Sequence, residues 1–146
     1  MKRIVLSLAG EETTASHARF VEEWWVKRAS GLPPVQVVAL FDLALSALWR
    51  RARRTLGEIT LSAIVERVLA TSSELHPLLA GIRLDHGRIS SEELRRRAAD
   101  LSEETLRAAF SAVLTDWLTV IGNLTAEILT PALREALGEI PLGGNS

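Results

Sequence analysis

The chain has 146 residues, 17 Lys or Arg against 18 Asp or Glu, and no cysteine. That length makes a single domain spanning 1–146 with a sizeable core. The net charge of −1 excludes a general basic coat for nucleic acid or acidic membrane, and the missing thiols exclude disulfide scaffolds, thiolate metal centres and cysteine nucleophiles.

Met1–Gly10 carries two basic residues and then Ile4-Val5-Leu6-Ser7-Leu8-Ala9, the outline of a secretory leader. The apolar run is short, Glu11 and Glu12 end it, and no small-x-small site follows, so no leader is expected. Helical periodicity becomes clear from Thr14 to Ala29, where Phe20, Val21, Trp24 and Trp25 cover adjoining stripes. Ser30-Gly31-Leu32-Pro33-Pro34 stops that helix and opens the next, since proline suits a first helical turn and not a helix interior.

The segment from Gly31 to Trp49 holds one charge and precedes Arg50-Arg51-Ala52-Arg53-Arg54, the outline of a membrane span with a basic flank. Asp42 near its middle argues against that. So does the wheel: at about 100° per residue, Val37, Val38, Phe41, Ala44, Leu45, Leu48, Trp49 and Ala52 share one half, while Gln36, Asp42, Ser46, Arg50 and Arg53 share the other. Lipid gives a helix no reason to be two-faced. The segment reads as a buried helix reaching about Arg54, with no membrane span.

Thr55-Leu56-Gly57-Glu58 has capping-box spacing and opens a third helix to about Thr71, with Leu61, Ile64, Val65, Val68 and Leu69 inward. The same spacing recurs in Thr71-Ser72-Ser73-Glu74, so an irregular insert is expected over about 72–90. It holds a short helical turn after Leu75 and a small β-like excursion around Asp85-His86-Gly87. Ser90-Ser91-Glu92-Glu93 opens a short fourth helix, and Ser102 is placed to cap the fifth.

The fifth helix is read as the longest, a long helix at the centre of the fold. Leu106, Phe110, Val113, Trp117, Val120 and Leu124 recur at steps of 4, 3, 4, 3 and 4, a coiled-coil-like seam. A second arc carries Leu114, Leu118, Ile121 and Leu129, and a third stripe of Ala108, Ala112, Thr115, Thr119, Gly122 and Ala126 is made of small residues that let another backbone approach. Asp116, Asn123 and Glu127 form the remaining polar strip. Thr130-Pro131 restarts the helix, and the tail from residue 139 reads as frayed.

Chemistry-bearing motifs are sparse. His17 lacks the neighbours of familiar phosphotransfer histidines and reads as a solvated or capping residue. His76 and His86 sit in the insert, and Glu74 with His76 or Asp85 with His86 offers half a metal site at most, so no metal and no cofactor are expected. No Gly-x-Ser-x-Gly elbow or glycine-rich phosphate loop is present, and no catalytic residue is assigned. The runs Arg50–Arg54 and Arg95–Arg97 would suit nucleic acid only if gathered on one face. Acidic residues surround the second run and a helix C-terminus favours the first, so no nucleic-acid partner is expected.

The expected fold is therefore all-α, a single-domain bundle of five or six helices with that fifth helix at its centre. The expected function is that of a non-catalytic cytoplasmic regulatory or signalling module acting through helix–helix association. It would work as a homodimer or with a helical protein partner, and its interface would be the small-residue stripe. A mean hydropathy of +0.16 agrees with an apolar face beyond the core's needs. The alternative is a small-molecule sensor or carrier with an apolar pocket lined by Trp24, Trp25, Phe41, Trp49, Phe110 and Trp117. A third reading is an enzyme with a carboxylate site, for which Asp116, Glu127 and His76 or His86 would have to meet.

Overall fold

Apolar residues at helical spacing dominate the chain, and the computed structural model, which describes residues 2–85 and 88–140, folds them as an all-α bundle. Its helices are α1 (Lys2–Ala29), α2 (Pro34–Leu56), α3 (Glu58–Leu75), α4 (Glu92–Arg97), α5 (Glu103–Leu124) and α6 (Thr130–Gly138). A 3₁₀ turn over Pro77–Gly81 and a hairpin of β1 (Arg83–Asp85) with β2 (Arg88–Ser90) lie between α3 and α4. The strands are antiparallel, with Leu84 opposite Ile89. None of the helices is long and apolar enough to cross a membrane among the described residues.

Local chemistry sets most boundaries. Pro34 occupies the first turn of α2, where a missing N–H costs nothing. Gly57, at φ +84°, makes the left-handed break between α2 and α3 that other residues adopt only with strain. Ser102 accepts from Thr105 N–H at 3.1 Å and caps α5.

Three boundaries differ from the expectation. Helix α1 begins at Lys2 and not near Thr14, which makes it, at 28 residues, longer than the 22-residue α5. Helix α3 runs through the second capping-box pattern to Leu75, and its serine hydroxyls are engaged elsewhere than at a helix start. Ser73 Oγ bonds back to the Ala70 carbonyl, and buried Ser72 donates to Asp116 at 3.2 Å. Helix α5 stops at Leu124, after which Ala126 and Glu127 take φ values of +52° and +62°.

The core forms where α1, α2 and α5 bring their aromatic residues together. Phe110 stacks on Phe41 with centroids 3.9 Å apart, and on Trp25 at 6.1 Å; Trp24 meets Trp25 edge-on at 5.0 Å. Helix α5 packs against α1, α2, α3 and α6. Its seam is buried from Leu106 through Trp117, but Val120 and Leu124 are exposed.

Two polar devices pin the periphery. Asp42, the lone charge in the apolar run of α2, accepts from Ser91 and Arg95 and so ties α4 to α2. At the other side, α1 satisfies the last carbonyls of α6 and the residues after it. Trp24 Nε1 donates to Leu137 O at 2.8 Å, and Arg28 donates to Gly138 O and Ile140 O at 3.2 and 3.0 Å. A cation there also suits the helix dipole. The start of the tail is thus fastened and not frayed, with Ile140 buried; residues 141–146 lie outside the described residues.

Candidate functional site

Two features stand apart from ordinary core packing. The first is a buried polar cluster where α1 crosses the corner between α5 and α6. His17 is 1 % exposed, so it is neither solvated nor a cap. Arg134 Nη2 lies 3.2 Å from its Nδ1, and Glu127 Oε1 lies 3.1 Å from its Nε2. A guanidinium can only donate, so Nδ1 accepts and the ring proton sits on Nε2, donated to Glu127. Burial holds the imidazole pKa below its ordinary 6.5; the Glu127 carboxylate pulls it upward, and the Arg134 cation pushes it down again.

The corner itself is built to present Glu127. Two consecutive non-glycine residues in the left-handed region cost on the order of 1–3 kcal/mol each, and the turn recovers this through hydrogen bonds. Glu127 N–H donates to Gly122 O at 2.6 Å, Leu129 N–H to Thr125 Oγ1 at 3.3 Å, and Thr130 Oγ1 to Glu127 Oε1 at 2.7 Å. Arg134 is steadied by Ser16 Oγ at 3.2 Å and by the Phe20 ring, 4.9 Å away.

Not every polar atom of the cluster is partnered: Glu127 Oε2 and Arg134 Nε are buried without a hydrogen bond among the described residues. Both imidazole nitrogens are engaged, and a general base would need a free lone pair facing a substrate. What the cluster does is hold α1 against the α5–α6 corner. Of the polar strip expected on the fifth helix, only Asp116 and Asn123 lie on α5. Asp116 is occupied by Ser72, Asn123 faces solvent, and Glu127 belongs to the turn. No hydrogen bond among the described residues joins Asp116, Glu127 and His76, and His86 lies outside the described residues. No group of three or more His, Asp or Glu among the described residues is placed to hold a metal ion.

The second feature is an open groove of about 1070 Å³ between α2 and α6. Its floor is Leu43, Ala47, Ala132, Ala136 and Ile140. Arg50, Arg51, Arg53 and Arg54 form the α2 wall, and Glu135 of α6 with Glu139, just past its end, forms the other. The spacing i, i+1, i+3, i+4 puts four arginines on one side of α2, while Ala52 between them turns into the core. The first arginine run is therefore gathered on one face. Arg51 reaches Thr55 Oγ1 at 3.2 Å, but among the described residues no ion pair engages either wall.

The residues expected to form an interface are dispersed. Ala108 is exposed, Ala112, Thr115 and Thr119 are half-buried, and Ala126 lies past the end of α5. Gly122 is buried against the Glu127 carboxylate of its own chain, which takes the space a second backbone would need. The six aromatic residues expected to line a pocket are all buried; the groove has none of them on its surface. Sequence reasoning noticed the arginine run but missed its acidic counterpart, because Glu135 and Glu139 are 81 or more positions further on. No family model, no curated protein and no solved structure matches this chain.

Proposed function

We propose that the protein is a non-catalytic cytoplasmic module that works by helix-to-helix association, as a homodimer. The observation that carries this reading is the α2–α6 groove, an apolar floor between charged walls that no ion pair among the described residues neutralises. Grooves of this form receive helices, with apolar contact supplying affinity and flanking charge supplying register. The exposed aliphatic side chain of Leu43, which lines the groove, adds to the reading.

Native mass spectrometry on the full chain at low micromolar concentration tests the proposal. A species at twice 16.0 kDa is the expected result. A monomer carrying a co-purified small molecule would replace it with a sensor or carrier, and a bare monomer would remove its support.

A further inference from the structure

The groove has a property that the association reading alone does not require: its two walls carry opposite charge. Four guanidinium groups stand on α2, two carboxylates stand on α6 and the residue just after it, and none pairs across the gap. A single-stranded nucleic acid would meet Glu135 and Glu139 as repulsive neighbours. It would also find no stacking surface, because six of the seven aromatic residues are buried and Phe20 is half-covered beside Arg134. A polyanion therefore matches only one wall.

An occupant that matches both walls presents acidic groups to α2, basic groups to α6, and apolar groups to the floor. A second copy of this chain does so when a two-fold axis passes through the groove. The rotation lays α2 of each copy along α6 of the other, as an isologous contact requires. Arg50, Arg53 and Arg54 then meet Glu135 and Glu139 of the other copy, twice over. Leu43, 54 % exposed in the isolated chain, becomes covered at the middle of the contact. Helix α6 is nine residues long, about 13 Å, so each half of the contact spans two to three helical turns.

We infer that the α2–α6 groove is the self-association surface of this protein, paired two-fold with the arginine wall of one copy against the glutamate wall of the other. This rests on the association reading above and names the face that performs it. The charge of either wall can be changed without touching the core, since Arg50, Arg54, Glu135 and Glu139 are exposed.

The test is sedimentation velocity on the full chain, with circular dichroism to confirm folding of each variant. Arg50→Glu with Arg54→Glu should weaken the dimer at least about tenfold, and so should Glu135→Arg with Glu139→Arg. Mixing the two variants in equal amounts should restore a dimer of wild-type affinity, because each wall again faces its opposite. A wild-type dimer indifferent to both reversals would overturn the inference and leave association by another face. Reversals that weaken the dimer without rescue in the mixture would also overturn it. A wild type that stays monomeric would instead overturn the association reading itself, and a monomer that binds an oligonucleotide through the arginine wall would make the groove a polyanion site.

Discussion

The carboxylate of Glu127 fills the space beside Gly122: a Cβ placed on that glycine would stand 2.3 Å from Glu127 Oε2. The carboxylate cannot simply swing away, because Oε1 is held by both His17 and Thr130. The glycine in the last turn of α5 is therefore there to admit a side chain from the following turn, and that side chain fastens α1.

This relationship fixes the sign of a substitution. Alanine at a helical position ordinarily improves on glycine by up to about 1 kcal/mol. Here Gly122→Ala should destabilise by about 1–3 kcal/mol through overpacking and loss of the His17 contact. In a Glu127→Ala background the same change should be neutral or stabilising. Urea denaturation of the four proteins measures the coupling, and additive effects would show that the two residues do not compete for that space.

Stability should also report the state of His17. The imidazole titrates below 6.5 in the folded chain and near 6.5 when unfolded, so between those values the unfolded chain binds the proton preferentially. The contribution is complete above about pH 6.5 and is lost as pH falls toward the folded pKa. His17→Gln should flatten the dependence of unfolding free energy on pH between about 7 and 5.5, before most carboxylates titrate. Chemical denaturation at a series of pH values gives the comparison, and an unchanged slope would assign the dependence to other groups.

Asp42 should matter for the attachment of α4 more than its ion pair suggests. Arg95 is half exposed, so Arg95→Ala should cost less than about 1 kcal/mol. Asp42→Ala removes the acceptor of buried Ser91 as well and should cost about 1–3 kcal/mol. Hydrogen exchange should show the loss concentrated in Glu92–Arg97. Equal effects of the two substitutions would mean that Ser91 finds another partner.

The helical class of this protein, the break at Gly31 to Pro34, the cap at Ser102 and the small hairpin after Ile82 were all readable in the sequence. Each depends on residues a few positions apart, through periodicity, a fixed proline φ, or a hydroxyl beside an open N–H. The end of α5 was not readable in that way. Val120 to Leu129 keeps apolar residues at helical spacing, yet the chain leaves the helix at Leu124 because Glu127 gains His17, Thr130 and a place beside Gly122 that a continuing helix would deny it.

The same division separates the two sites. Periodicity placed Phe110 and Trp117 on an inward seam and Arg50, Arg53 and Asp42 on a polar face, because burial of apolar area is a property each helix carries alone. Only the tertiary structure brought His17 to Glu127 across 110 positions and set Glu135 opposite Arg50. Such pairings depend on how α1, α2 and α6 cross, and that is decided by the aromatic packing of Trp25, Phe41 and Phe110 and by the carbonyls that Trp24 and Arg28 satisfy. The sequence alone thus determined what each helix buries, and the crossing of the helices decided which charges meet.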